Sequence, residues 1–152
     1  MSPTQRKVCV VASVGGHLTE VRLLRSAYEG YEHFYVVNEQ IELPKDMEGR
    51  TYCIRHAERN WLVLANFLEA WHILRQERPR VILSTGAGTV VPFTIVGKLL
   101  GIRMLFVESF ACVEAPSLTG KSVYGLADRF FYQWEQLRRF FPKGIYGGRL
   151  VG

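Results

Sequence analysis

The stretch Lys7-Val8-Cys9-Val10-Val11-Ala12-Ser13-Val14-Gly15-Gly16-His17-Leu18 decides how the rest of the chain is read. An apolar, β-branched run with no helical period ends at two glycines and passes into Leu18, Val21, Leu23 and Leu24. That pattern predicts a strand, a tight loop and a helix. Paired glycines let main-chain N–H groups approach ligand oxygens, and the N-terminus of the following helix carries a partial positive charge. The loop therefore suits an anion such as a diphosphate. His17 is its only titratable side chain and the candidate proton acceptor. The same residues also fit a histidine that only caps the helix.

Outward from this unit the pattern repeats. His33-Phe34-Tyr35-Val36-Val37-Asn38 and Arg50-Thr51-Tyr52-Cys53-Ile54-Arg55 read as the second and third strands, separated by a polar, turn-rich surface loop at 43–49. Residues 60–78 read as a long helix with Asn60 as N-cap and Pro79 beyond its end. In that helix Asn66, Glu69, His72 and Gln76 form a narrow polar stripe between two apolar flanks, one carrying Trp61, Leu64, Leu68 and Trp71. Neighbouring helices are expected to bury both flanks, the alternative being that the tryptophan side meets a membrane or another protein.

Arg80-Val81-Ile82-Leu83-Ser84 is a fourth strand that breaks into a second glycine-rich loop, Ser84-Thr85-Gly86-Ala87-Gly88-Thr89. An apolar helix at 90–100 follows, and then a fifth strand, Arg103-Met104-Leu105-Phe106-Val107, delivers Glu108-Ser109-Phe110 to its end. The remainder holds a helix at 118–127, a sixth strand at Arg129-Phe130-Phe131-Tyr132-Gln133, a short turn or helix at 135–140 and a closing Gly144-Ile145-Tyr146-Gly147. Alternating strands and helices predict an α/β, Rossmann-like doubly wound parallel sheet of about six strands. The usual strand order 3-2-1-4-5-6 makes strands one and four neighbours. His17, the 84–89 loop and Glu108 then gather around one crevice, with Glu108 as the second candidate base.

The 152 residues make a single domain, 1–152, and the net charge of +5 favours anionic partners. Its basic residues are scattered, which argues against nucleic acid. Cys9, Cys53 and Cys112 lie far apart, so neither a zinc site nor a disulfide framework is implied, and a reducing, cytoplasmic setting fits. The N-terminus is too short and polar for a signal peptide, and no run reaches the roughly 18–20 apolar residues of a membrane span. A dinucleotide site would need a third glycine in the first loop; Glu39 stands where the acidic partner belongs, but that glycine is missing. There is no Asp-x-Asp pair to hold a divalent cation, so no metal is expected.

Four blocks carry a resemblance. They are Ser13-Val14-Gly15-Gly16-His17-Leu18, then Ser84-Thr85-Gly86-Ala87-Gly88-Thr89-Val90-Val91-Pro92-Phe93, then Phe106-Val107-Glu108-Ser109-Phe110-Ala111, and Ser117-Leu118-Thr119-Gly120-Lys121 through Leu126-Ala127-Asp128-Arg129-Phe130-Phe131. In order and over nearly the whole chain, they resemble the acceptor-side subunit of split GT-B glycosyltransferases. Those include bacterial capsule and exopolysaccharide accessory subunits and the membrane-recruiting subunit of the eukaryotic transferase that adds the second N-acetylglucosamine to lipid-linked oligosaccharide.

The resemblance implies the N-terminal, acceptor-binding half of a GT-B enzyme. A smaller partner chain would hold the UDP-sugar donor, with a lipid-diphosphate-linked sugar as acceptor. It also implies His17 and Glu108 as catalytic residues and Ser13, Gly15, Gly16, Ser84, Thr85, Gly86, Gly88, Thr89 and Ser109 around the acceptor diphosphate. Eukaryotic members carry an N-terminal transmembrane helix, so a chain without one is expected in the bacterial branch, held peripherally on the inner face of the membrane. Helix 90–100 with Lys98 and the Trp61/Trp71 flank are the candidates for touching lipid, with burial in the core the expected fate of the helix. Residues 132–151, with Trp134, Arg138, Arg139 and Phe140, are the expected docking surface for the partner chain. The alternative function is a non-catalytic partner that recruits and activates the catalytic subunit.

Overall fold

The computed structural model describes residues 6–38, 42–55, 61–86 and 88–151. Seven parallel strands, β1 (Val8–Ala12), β2 (His33–Val37), β3 (Thr51–Cys53), β4 (Val81–Ser84), β5 (Arg103–Val107), β6 (Arg129–Tyr132) and β7 (Ile145–Tyr146), form one sheet in the order β3-β2-β1-β4-β5-β6-β7. The doubly wound order expected from the sequence is the order observed. β7 adds at the β6 edge, a two-residue strand too short to leave a pattern in the sequence.

All five residues of β1 are buried, as a continuous apolar run predicts for a central parallel strand. Alternation then sorts its side chains between two cores. Cys9 and Val11 join Ala70, Leu74, Phe93, Met104 and Phe106 under helices α3 (Leu62–Glu77), α4 (Val90–Leu99) and α5 (Leu118–Tyr124). Val8, Val10 and Ala12 face Val21, Tyr28 and Met47 under the shorter α1 (Gly16–Leu23) and α2 (Arg25–Tyr28).

Three local features differ from the sequence reading. Residues 43–49 are not purely surface: a 3-10 turn, Lys45–Met47, drops Met47 fully into the second core. The first helix breaks at Leu24, and α2 carries Tyr28 inward, where its hydroxyl donates to Val21 O at 3.1 Å. In α3 one member of the polar stripe is buried and one apolar flank is exposed. Asn66 is buried and donates to Arg55 O and Glu69 Oε2, both at 2.9 Å, whereas Trp61, Leu64, Leu68 and Trp71 stand 71, 68, 72 and 44% exposed. Helix α4 lies in the core with Val90, Phe93 and Val96 buried, and Lys98 pairs with Asp128 at 3.3 Å, which removes it as a lipid-facing surface. Asn60 and Glu39 lie outside the described residues.

At the amino-terminal edge of the sheet a polar clamp joins three elements. Glu77, at the end of α3, accepts from Lys7 Nζ at 2.8 Å and from the Tyr52 hydroxyl on β3. The Lys7 and Tyr52 bonds hold the Glu77 carboxyl below the usual range, and the Glu77 carboxylate in turn raises Lys7. A depressed carboxylate adds stability that is complete above its unfolded pKa and is lost as pH falls through the folded one. Acid unfolding of the wild-type chain will therefore steepen below about pH 4.5. Glu77→Gln will flatten that limb and cost about 1–2 kcal/mol at pH 7, checked by urea titrations between pH 3 and 7.

Candidate active site at the carboxyl ends of β1, β4 and β5

β1 and β4 lie side by side, and the helices that follow them pack on opposite faces of the sheet, α1 on the second core and α4 on the first. Their loops therefore diverge at the topological switch point, where a doubly wound sheet opens a crevice. Gly15 turns the first loop with φ +103° and sits at the N-cap of α1, where no side chain caps the helix. The loop is braced from β2 by Asn38, whose Oδ1 accepts from Val14 N at 3.2 Å.

The two loops are tied by a reciprocal pair. The Thr85 hydroxyl donates to His17 O at 2.8 Å, and His17 Nδ1 lies 3.1 Å from Thr85 O. A carbonyl oxygen only accepts, so Nδ1 carries the hydrogen and the lone pair of the neutral ring sits on Nε2. Gly86 makes the pair possible. A Cβ there would stand 2.7 Å from His17 Cε1, and the φ of +135° disfavours any L side chain.

The remaining expected residues separate into exposed and scaffolding groups. Gly15, Gly16 and Gly88 are exposed, and His17 and Ser13 are half-buried. Ser84 is fully buried, its hydroxyl donating to Val11 O at 2.6 Å across to β1 and accepting from Gly86 N at 3.2 Å. Thr85 is fully buried too. These two side chains shape the second loop and do not face the crevice. Thr89, 5% exposed at the start of α4, has a buried hydroxyl with no partner among the described residues.

Glu108 is 1% exposed, and its carboxylate is already engaged. Oε1 accepts from Ser109 N at 3.1 Å and from the Ser117 hydroxyl at 2.7 Å, and Oε2 accepts from Ser117 N at 3.1 Å. Ser117 is also the N-cap of α5, accepting from Gly120 N at 2.8 Å, and the first turn of that helix closes so tightly over Glu108 that a Cβ at Gly120 has no room. The carboxylate expected at the crevice instead anchors α5 to the end of β5.

A second carboxylate, Glu20, escapes the sequence reading because a glutamate on a short surface helix reads as solvated. It is buried, and it accepts from the Ser109 hydroxyl at 2.7 Å, Phe110 N at 3.0 Å and Gln133 Nε2 at 3.2 Å. The signal was its spacing, three residues after His17 and so one turn along the same helix face. Burial, with Glu108 and Glu20 behind it, pushes the Cys112 thiol up to about 11, which leaves it a poor nucleophile. Cavities of about 650 and 750 Å³ open elsewhere, along the amino-terminal edge of the sheet, away from these loops.

Residues 57–150 match the family described as "Oligosaccharide biosynthesis protein Alg14 like". The human UDP-N-acetylglucosamine transferase subunit ALG14 is 30% identical over 178 residues, spanning 95% of this chain and 82% of its own length. The Mus musculus subunit of that name is 31% identical over 180 residues, spanning 95% and 83%. Among solved structures, Acinetobacter baumannii MurG superposes with a TM-score of 0.72 at 17% identity over 86% of this chain. The S. aureus MnaA–UDP structure superposes with a TM-score of 0.71 at 15% identity over 93%. The chain spans 42% and 43% of the length of those two proteins, and the likeness to them is one of fold, a parallel α/β sheet of Rossmann type. By its family match and its closeness to the ALG14 subunits, the chain belongs to the Alg14-like family.

Proposed function

We propose that this chain is the acceptor-binding subunit of a two-chain inverting glycosyltransferase. It would use a UDP-sugar held mainly by a smaller partner chain and a lipid-diphosphate-linked sugar of an oligosaccharide or capsular polysaccharide pathway. The observation that carries the reading is the His17–Thr85 pair, which leaves Nε2 as the proton-accepting atom beside an uncapped helix N-terminus. The relatives' name as UDP-N-acetylglucosamine transferase subunits supports N-acetylglucosamine as the transferred sugar.

In the proposed step an acceptor hydroxyl attacks the anomeric carbon of the donor. Its proton passes to His17 Nε2, the bond from the anomeric carbon to the diphosphate oxygen breaks, and UDP leaves with inverted configuration at that carbon. The imidazolium keeps its Nδ1–H on Thr85 O throughout. The acceptor diphosphate takes the N–H groups at the start of α1, with Gly15, Gly16 and Gly88 giving it backbone access. Metal is not required in this scheme, because charge is met by helix termini and by preorganised donors.

Among the described residues no helix is long and apolar enough to cross a membrane. The exposed Trp61–Leu64–Leu68–Trp71 flank of α3, with Arg75 5.4 Å over the Trp71 ring, supports peripheral attachment to an anionic bilayer where the lipid acceptor resides. The same flank favours the second reading, in which this chain recruits its partner and performs no chemistry.

Assay of the reconstituted pair with UDP-N-acetylglucosamine and lipid-diphosphate-linked sugar separates the two. His17→Gln will lower kcat by about 10²–10⁴-fold with the chains still associated. Full turnover in an intact His17→Gln complex would reject the base and leave the recruiting role. For the membrane face, a Leu64→Asp/Leu68→Asp chain will lose co-sedimentation with phosphatidylserine vesicles while its urea midpoint changes little, since both positions are already in water. Retained sedimentation would rule that face out.

A further inference from the structure

We infer that Glu20 is a positioning residue that sets the His17 imidazole, an inference that rests on the reading of His17 as the base. Helix α1 is only eight residues long, follows an N-cap glycine with φ +103° and has no side-chain cap, so its own sequence does little to fix its first turn. Two side contacts fix it instead. On one side Thr85 holds His17 through both hydrogen bonds of the reciprocal pair. On the other, Glu20 holds the segment after β5 through Ser109 and Phe110. Residues three apart on a helix share a face, so His17 and Glu20 are two points of one rigid turn, gripped from β4 and from β5.

The chemistry of the contact favours a carboxylate. Three donors converge on Glu20, Phe110 N and Gln133 Nε2 on Oε2 and the Ser109 hydroxyl on Oε1, and each bond is strengthened by the negative charge. A glutamine of the same shape keeps the two N–H donors on its oxygen but loses that charge and turns an NH2 toward Ser109 Oγ, whose hydroxyl must rotate away to accept it. Gln133 extends the grip, since its Nε2 also donates to Glu108 O at 3.0 Å and its Oε1 accepts from Leu150 N at 2.9 Å. The turn that carries the base is thereby linked to the tail of the chain.

Glu20→Gln in the full chain, assayed with its partner, is expected to lower kcat about 10–100-fold with donor and acceptor KM within about twofold, because an error of about 1 Å at a base costs rate more than binding. Ring signals of His17 in a ¹H–¹³C spectrum of the full chain alone, one sharp set in the wild type, are expected to broaden or double. Ser109→Ala, which removes one donor without touching α1, will move both readouts the same way by a smaller factor and serves where Glu20→Gln does not fold. Unchanged His17 signals in either folded variant would overturn the inference, as would a kcat within twofold of wild type. The spectrum needs no turnover. A wild-type pair that fails to transfer sugar therefore counts against the proposed function, while the spectra still decide the role of Glu20.

Discussion

The arrangement turns on one reciprocal contact, Thr85 Oγ1–H to His17 O and His17 Nδ1–H to Thr85 O. The partners are 68 residues apart in sequence and stand on loops that leave the sheet toward opposite faces. Each hydrogen bond alone is worth about 1 kcal/mol. Their joint effect is geometric: the imidazole is fixed in position and in tautomer. Gly86 is the third party, because its missing side chain is where the ring lies.

Burying Glu20 and Glu108 behind this contact carries a desolvation cost that no cation offsets among the hydrogen bonds described; neutral donors do the work. Each carboxylate meets at least three, from backbone N–H groups, serines and Gln133. The negative side of the site thus lies under the β5 end, in the interior. The helix N-termini of α1 and α4 give the β1 and β4 ends a positive character. That division of charge favours an anion at the glycine loops over one at the β5 end.

Much of this was legible in the sequence, because parallel sheets leave strong signatures. β1 and β5 read as apolar runs with turn residues at their ends, and the switch point followed from chain order. Helix α3 misled because its buried Asn66 is satisfied by Arg55 O and Glu69, contacts that helical periodicity does not encode, so one member of the polar stripe lies inside while His72 and Gln76 stay exposed. Met47 was hidden among polar neighbours for a similar reason. In the site, His17 and the two glycine loops came from local chemistry. Glu108 stands at a strand end and invites a catalytic reading, yet it is spent anchoring α5. Glu20 was passed over because the donors that converge on it come from distant segments. Both acids are engaged by what folds over them, and neither contact is encoded in local periodicity.

The claim beneath all of this is that the second glycine loop presents His17 with Nδ1 protonated and Nε2 open. A long-range ¹H–¹⁵N correlation spectrum of the full chain, recorded at alkaline pH, reads the tautomer directly. The account predicts a protonated Nδ1 and a downfield, unprotonated Nε2, with the pattern lost on Gly86→Ala. An Nε2-protonated ring, or a rapid average of the two tautomers in the wild type, would contradict it.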